Sequence, residues 1–396
     1  MLKKALNKNI ICYYSSSFLK SISLGVFILL FNIFITERID SPTFLGTYLL
    51  FGNIAMALGG VLLGRKLDNV SRKKLLIIST LFASVFMITS FILVNVFLLL
   101  LISFAYGLSY SIIMCMRGPV LMSYGKEEYR AFLFSTASSV GLAGLSVGVF
   151  LGGVLGPLNF IGTLYQIPLI ISGLIFVASV VPLLFMNPSV VSGGSEHSLV
   201  KTEELPVSTH NFKVRPILMF AFFIIGLAIL FSPYVNIYFH MRFNVNIVHL
   251  SLFMFVIQVA PIVVNFTLSR NVKKSNIKKY ILCSLAVGGV SYVLLAITYS
   301  LWIHMFLVLI ASCSISFALP LISNFIYESI PKENYGKAAG IFNFFYNFGD
   351  AAGTYVEGAL IGFSLFAVSF GIAGATLFVL FLVFFLLSRN PSADSA

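Results

Sequence analysis

Besides Arg117, three ionisable side chains lie within long apolar stretches of the sequence, where a charge is costly unless it is paired or hydrated. They are Lys20, Asp350 and Glu357, and the two acids are seven residues apart. Seven residues are about two helical turns, so the two carboxyls project from nearly the same helix face. A carboxyl that alternates between water and a low-dielectric site can take up and release a proton. We predict proton coupling by Asp350 with Glu357; the alternative is a static Lys20–Asp350 pair or a polar helix contact.

The composition requires that these residues be positioned by membrane-spanning helices. Of the 396 residues, 59% are hydrophobic and 10% are charged, and the mean hydropathy is +1.01. Soluble domains carry about 25% charged residues. A span needs roughly 20 apolar residues, and the sequence offers twelve such stretches: 10–36, 43–64, 74–95, 97–121, 131–156, 165–187, 215–239, 247–269, 279–299, 302–326, 337–360 and 364–388. We predict an all-α, multi-pass membrane protein.

The basic residues predict how the chain is oriented in the bilayer. With the N-terminus inside, all but four of the 25 Lys and Arg residues fall in inner segments; the exceptions are Arg38 and Arg242 outside, and Lys20 and Arg117 within spans. This is the positive-inside pattern. It predicts a protein of the cytoplasmic membrane with both termini cytoplasmic. It also explains the formal net charge of +12 without nucleic acid as a partner.

Short matches separated by half the chain length indicate two related halves. Asn32 and Arg38 match Asn236 and Arg242 at an offset of 204, and KEEY at 126–129 matches KENY at 332–335 at an offset of 206. Residues 188–214 are polar and rich in Ser, Gly and Pro, which is typical of a flexible linker. We predict a six-helix bundle at 1–187, a cytoplasmic linker at 188–214 and a second six-helix bundle at 215–396.

The predicted inner loop after helix 2 reads GRKLDNVSRKKL, from Gly64 to Leu75. Its spacing resembles the helix 2–3 signature of the major facilitator superfamily. The matching residues are Gly64, Leu67, Asp68, Arg72 and Lys73, whereas Ser71 and Asn69 depart from the signature. The resemblance implies that Asp68 and Arg72 form a gate that holds one conformation and breaks in the other. For the remaining basic residues, simple anchoring of the loop is the alternative.

Predicted helix 5 is rich in glycine at intervals of three and four residues, a pattern that lets two helix backbones approach closely. The residues concerned are Gly144, Gly148, Gly152 and Gly153. The segment GLSVGVFLGG resembles the helix 5 motif of export members of the superfamily, but Val149 stands where that motif has proline. Plain close packing is the alternative, and neither interpretation brings these glycines to a substrate.

The resemblance further implies two six-helix bundles around a central cavity lined by helices 1, 4, 7 and 10. Polar residues on or near these helices are the candidates for a substrate cavity: Asn32, Arg117, Asn236, Asn343 and Asn347. In this fold Lys20 is expected to face substrate or Asp350. The aromatic residues around Asn343 and Asn347 suit either an adaptable pocket or a packing surface.

The resulting functional prediction is a monomeric secondary transporter for a small organic solute, exporting a drug or metabolite by proton antiport. One alternative is uptake or exchange of an anionic metabolite at Lys20 and Arg117. Another, of a different class, is a non-transporting membrane sensor or assembly protein on the same scaffold. The sequence contains no Walker, GxSxG, HExxH or kinase signature, so no enzyme activity and no cofactor are predicted. No metal site is predicted either, since the four cysteines lack ligand spacing.

Overall fold

The computed structural model describes residues 7–64, 71–124, 130–157, 165–187, 214–228, 231–268, 272, 276–328 and 335–389. Over these ranges the chain is helical, without β-strand. Leu67 and Asp68 of the predicted gate loop, and nearly all of the predicted linker at 188–214, lie outside the described residues.

Twelve helical regions form two sets of six. The first six are α1 (Lys8–Ile39), α2 (Pro42–Gly64), α3 (Arg72–Ile92), α4 (Val96–Tyr124), α5 (Arg130–Leu155) and α6 (Gln166–Ala178 with Val180–Leu184). The second six are α7 (Val214–Ala228 with Val235–Phe243), α8 (Ile247–Leu268), α9 (Ile277–Ile297), α10 (Leu301–Glu328), α11 (Tyr335–Gly362) and α12 (Phe366–Arg389). By length and composition, eleven of them can cross a membrane over their described residues; the twelfth, α11, contains both Asp350 and Glu357.

The two halves use the same short turn at the end that we term outer, where α1 gives way to α2 and α7 gives way to α8. Asp40 follows α1 with φ 52°, and Asn244 follows α7 with φ 51°. Asp and Asn tolerate this left-handed conformation because their short side chains bond locally. These two residues are 204 positions apart, so the turn itself preserves the duplication.

α7 is interrupted, whereas the sequence predicted one continuous span ending at 239. Its inner segment ends at Ala228, a 3₁₀ turn occupies Ser232–Tyr234, and its outer segment extends to Phe243. Pro233 explains the turn, since proline lacks the backbone N–H that a continuous helix requires at that point. The interruption leaves the Pro233 carbonyl oxygen available to a partner from the first half.

Within each half, glycines bring one pair of helices into backbone contact. A Cβ atom added to Gly144 of α5 would lie 2.6 Å from the Phe18 carbonyl oxygen of α1. A Cβ atom added to Gly349 of α11 would lie 2.1 Å from the Phe223 carbonyl oxygen of α7. Both members of the second pair follow those of the first by 205 positions. Gly144, Gly148 and Gly152 of α5 therefore serve packing against α1, and α11 repeats this arrangement against α7.

The same relation holds where the two halves meet. A Cβ atom on Gly358 of α11 would lie 2.7 Å from the Gly46 Cα atom of α2. A Cβ atom on Gly153 of α5 would lie 1.8 Å from the Ser251 Oγ atom of α8. Gly153 and Gly358 are 205 positions apart, as are Gly46 and Ser251. Two pseudo-equivalent contacts, α2 with α11 and α5 with α8, thus close the outer part of the interface.

Gly148 offers a test of this packing, because a Cβ atom there would lie 2.0 Å from the Ile22 carbonyl oxygen. We expect Gly148→Ala to destabilise the protein by about 1–3 kcal/mol, the usual cost of overpacking. Gly141→Ala is the control in the same helix, since its Cβ atom meets only the Ser21 Oγ atom, at 3.8 Å. Thermal unfolding of both purified variants checks this, and equal midpoints would refute it.

Candidate functional site

A cavity of about 560 Å³ lies between the two halves. Its first-half wall comes from α1, α2, α4 and α5, and its second-half wall from α7, α8, α9, α10 and α11. The predicted set of α1, α4, α7 and α10 is therefore present, but other helices contribute as well. Contributions from both halves make the cavity sensitive to any relative movement between them.

Aromatic rings form much of the first-half wall. Phe27 of α1 stacks on Tyr106 of α4 with ring centroids 6.4 Å apart, and Tyr106 stacks on Tyr110 at 5.7 Å. Interplanar angles of 23° and 14° make the three rings nearly parallel. All three residues line the cavity. A stacked row of this kind presents flat apolar surface with hydroxyl groups at its edges.

The second-half wall is richer in hydrogen-bonding groups and contains the acid Asp350. The Asn53 amide of α2 donates to Asp350 Oδ2 at 3.0 Å, which links the two halves across the cavity. Asp350 Oδ1 has no hydrogen-bond partner among the described residues. No Lys, Arg or His is found among the described lining residues, so Asp350 carries their one formal charge. Other polar lining residues of this half are Ser232, Gln258, Ser312, Ser316 and Thr354.

Two asparagines seal the outer side of the cavity. Asn32 of α1 donates from Nδ2 to the Pro233 carbonyl in the α7 turn. Asn236 of α7 donates from Nδ2 to the Ile28 and Leu29 carbonyls of α1, at 3.0 and 2.7 Å. The exchange is reciprocal, since each half supplies an amide donor and carbonyl acceptors to the other. Asn32 also lines the cavity, whereas Asn236 is buried in the seal.

A histidine–carboxylate contact lies further out along the same interface. His240 Nε2 of α7 is 3.3 Å from Glu37 Oε1 of α1. The pair is half-exposed and is the one inter-half contact between a basic and an acidic side chain among the described residues. The hydrogen bonds of the asparagines, the glycine contacts and this pair all lie at the outer end. The cavity is therefore closed toward the outer side.

The structure does not bring Lys20 and Asp350 together. Lys20 is buried in the first half with Nζ 3.5 Å from Thr80 Oγ1 of α3, and it does not line the cavity. The cavity wall of α1 begins at Leu24, so Lys20 lies beyond its inner edge. Arg117 also stays within its own half, where it donates to Ser138 Oγ and the Phe134 carbonyl of α5. Neither cation reaches the cavity.

Glu357 is fully buried between helices of the second half. Its Oε1 atom accepts a hydrogen bond from Ser369 Oγ of α12, and Oε2 has no partner among the described residues. It lies close enough to Tyr292, a cavity residue, to interact with it electrostatically. Glu357 thus sits behind the cavity wall, two turns outward from Asp350.

The other predicted site residues have structural contacts. Asn347 Nδ2 donates to the Asn343 carbonyl at 2.7 Å, and neither residue lines the cavity. Arg72 donates to the Pro119 carbonyl of α4 at 3.1 Å, and Lys73 donates to the Leu184 carbonyl of α6 at 2.6 Å. Both basic residues therefore hold helices of the first half together, and Gly64 is the last residue of α2.

Asn53 was missed as a site residue from the sequence. It precedes Gln258, a cavity residue of α8, by 205 positions. The duplication offset could therefore have identified Asn53, because an amide side chain stands at the equivalent position of the other half. The aromatic row of Phe27, Tyr106 and Tyr110 was also missed, because aromatic residues are frequent throughout the chain.

Comparisons with known proteins agree with this geometry. The family model described as Major Facilitator Superfamily matches residues 13–354 and 243–396. The chain belongs to the Major Facilitator Superfamily, and it is a membrane transporter of that general kind. A search of curated proteins gives no match.

Solved structures share the fold. The nucleoside transporter NupG superposes with a TM-score of 0.78 at 15% identity, covering 97% of this chain and 100% of its own. A bacterial homologue of the human lysosomal transporter Spinster, inward-facing and occupied, gives 0.76 at 12% identity, with 96% of each chain covered. The human organic anion transporter MFSD10 gives 0.68 at 14%, covering 95% and 99%. At such identities the likeness concerns the fold alone.

The asparagine seal predicts how the closed state can be opened. Asn236→Ala removes two inter-half hydrogen bonds, each worth about 0.5–1.5 kcal/mol, and should raise the population open to the outer side about five- to 100-fold. A cysteine at Ser312, which lines the cavity, reports the change when the four native cysteines are replaced. A membrane-impermeant maleimide added outside should label it faster in Asn236→Ala.

Asn32→Ala removes one such bond and should give a smaller increase. Asn95→Ala is the control, since Asn95 is an outer residue whose side chain accepts only from the Leu98 amide within the first half. Labelling that rises equally in Asn95→Ala, or does not rise in Asn236→Ala, would contradict the role of the seal.

Proposed function

We propose that this protein is a proton-coupled antiporter that exports a small, neutral or cationic organic compound with an aromatic ring. The observation that carries the proposal is the position of Asp350 in the central cavity. Its carboxyl is bonded to Asn53 of the opposite half and is not neutralised by any cation among the described lining residues.

Antiport needs a site at which a proton and a substrate compete. Asp350 Oδ2 is engaged by Asn53, while Oδ1 remains for a ligand or a proton. A substrate that donates a hydrogen bond or brings a positive charge satisfies the carboxylate, and a proton satisfies it equally. The two then bind alternately, which couples the movement of one to the movement of the other.

The two cavity walls favour an aromatic compound with polar edges. The parallel rings of Phe27, Tyr106 and Tyr110 offer stacking surface. The opposite wall offers the Gln258 amide and the Ser312 hydroxyl besides the acid. Aromatic stacking supplies affinity, and a few placed polar groups supply orientation. A nucleoside, the substrate class of the nucleoside transporter NupG, has both features.

The alternative of an anionic substrate receives little support. It relied on Lys20 and Arg117, which bind Thr80 and Ser138 respectively, away from the cavity. An anion in this cavity would face Asp350 without a neighbouring cation among the described lining residues. Repulsion of this kind is a common means of excluding the wrong ligand.

Export is the direction that we propose, on the basis of the helix 5 resemblance, and the conformation is compatible with it. The outer end is closed by the asparagine seal and the Glu37–His240 pair. With the predicted topology, this is the state that receives substrate from the cytoplasm. A proton arriving at Asp350 from the outer side later in the cycle would release the substrate there.

Asp350→Asn tests the coupling. We expect net transport driven by an imposed pH gradient to fall at least about tenfold, because the asparagine amide, unlike a carboxylate, does not bind a proton near neutral pH. Counterflow exchange of substrate, which requires no net proton movement, should persist for a neutral compound. The measurement uses proteoliposomes with a pH gradient and three probes: uridine as neutral, ethidium as cationic and benzoate as anionic.

Asp40→Asn is the matched control, since Asp40 is an exposed acid in a left-handed turn that Asn also adopts. Its pH-driven transport should equal that of the unmodified protein. Unchanged coupling in Asp350→Asn would exclude Asp350 as the proton carrier, and transport of benzoate alone would exclude the proposed substrate class.

The aromatic wall gives a further prediction. Tyr106→Leu should raise KM for aromatic substrates about three- to tenfold, consistent with a stacking contribution of roughly 0.5–1.5 kcal/mol. Phe82→Leu is the control, because Phe82 stacks on Phe86 but is exposed on α3, away from the cavity. Initial rates at varied substrate concentration check this, and equal KM values for both variants would contradict it.

A further inference from the structure

The two arginines at the outer end occupy equivalent positions in the two halves but have different surroundings. Arg38 is near the end of α1, and Arg242 is near the end of α7, 204 positions later. They are the two basic residues that the sequence places outside. Because the two positions are equivalent in a duplicated fold, the contacts of the two arginines can be compared directly.

Arg38 is satisfied by its own half. It donates from NH1 to the Phe91 carbonyl at 2.9 Å and from NH2 to the Ile92 carbonyl at 3.1 Å, both at the end of α3. Its guanidinium also lies 5.3 Å from the Phe34 ring centroid. The carbonyls at a helix C-terminus lack intrahelical donors, so a cation suits them. Arg38 therefore acts as a structural cap.

Arg242 has no equivalent acceptor. The guanidinium carbon lies over four aromatic rings, at 5.4 Å from Tyr299, 5.6 Å from Phe366, 5.9 Å from Phe243 and 6.0 Å from Tyr238. Among the described residues it has neither a hydrogen-bond acceptor nor an acidic partner. The five N–H donors of an arginine form a fork that matches carboxylate and phosphate oxygens. The rings hold this fork in place without saturating it.

A pocket of about 260 Å³ lies in front of Arg242. It is lined by Ala296 at the end of α9, by Tyr299 just after that helix, and by residues 364–368 around the start of α12. Ala296 follows Phe91, the carbonyl partner of Arg38, by 205 positions. In the second half the pocket thus lies at the position where, in the first half, Arg38 contacts the end of α3. The pocket shares no described lining residue with the central cavity.

The surroundings of this pocket have the composition of a membrane interface. Tyr299 is 76% exposed, Trp302 is 77% exposed and Phe363 is 75% exposed. Trp and Tyr concentrate where the hydrocarbon core meets the headgroups. The exposed apolar side chains of Ile303 and Phe306 continue from this belt along α10. The exposed aromatic residues beside the pocket therefore suit a position near the headgroups at this end of the helices.

We propose that the Arg242 pocket binds a phosphate group, separately from transport substrate. Arg242 supplies the charge and the donor fork, Tyr299 and Phe366 fix its orientation, and the 260 Å³ pocket receives the anion. An anionic phospholipid headgroup and free phosphate share this chemistry. The pocket belongs to the second half alone. Binding there would hold α7, α9 and α12 together while the two halves move relative to each other in alternating access.

Thermal unfolding of the full-length protein in detergent tests the site with three probes: phosphatidylglycerol, phosphatidylcholine and inorganic phosphate. Ligand that binds only the folded state raises the midpoint. We expect phosphatidylglycerol to raise it by at least about 3 °C, and phosphatidylcholine to raise it much less. Arg242→Gln should lose the shift, and Arg38→Gln should retain it despite a lower starting midpoint.

Val368→Trp provides a second variant, because it fills the pocket from an exposed position and leaves Arg242 in place. It should lose the shift as well. A shift with inorganic phosphate alone, lost in both variants, would support the site with a soluble ligand. The proposal would be overturned if neither phosphatidylglycerol nor inorganic phosphate shifts the midpoint. It would also be overturned if Arg38→Gln loses the shift as fully as Arg242→Gln does.

Discussion

The two halves are joined at their outer ends by amide-to-carbonyl hydrogen bonds, and the remaining architecture depends on this contact. In lipid, burial of apolar surface does not favour one helix contact over another, so close backbone approach and polar bonds decide which helices meet. Asn32 and Asn236 supply those bonds reciprocally. Gly153 and Gly358 let the backbones come near enough for them to form. Because the outer end is closed, only a relative movement of the two halves can open the cavity to the outer side.

The duplication also shows where the halves have diverged. Glycine contacts, outer turns and amides in the cavity recur at offsets of 204 or 205. Asp350 breaks the pattern: its equivalent, Leu145, also lines the cavity and is apolar. The arginines diverge in the same way, since Arg38 donates to carbonyls at the end of α3 and Arg242 has no such acceptor among the described residues. A shared scaffold thus carries single-sided polar groups, and these are the positions where binding and coupling can act without changing the fold.

Much of the fold could be predicted from the sequence because lipid imposes long apolar helices, which stand out along the chain. The site was less accessible, because periodicity gives a residue's depth but not the direction in which its helix faces. Lys20 has the depth of a cavity residue, yet it points to Thr80 of its own half. The break at Pro233 also depends on a tertiary partner, Asn32, which no local pattern specifies.

The bond between Asn53 and Asp350 links coupling to conformation under the proposed function. A hydrogen bond to a carboxylate is worth about 1.5–3 kcal/mol, whereas one to a neutral acid is worth about half of that. Asn53 and Asp350 belong to opposite halves, so protonation weakens a contact that exists only while α2 and α11 are together at this level. A ligand shifts a conformational equilibrium only through its unequal affinity for the two states. Here the Asn53 amide makes the affinity of Asp350 for a proton differ between the two conformations. An acid that is hydrogen-bonded within its own half, as Glu357 is to Ser369, would have no such difference.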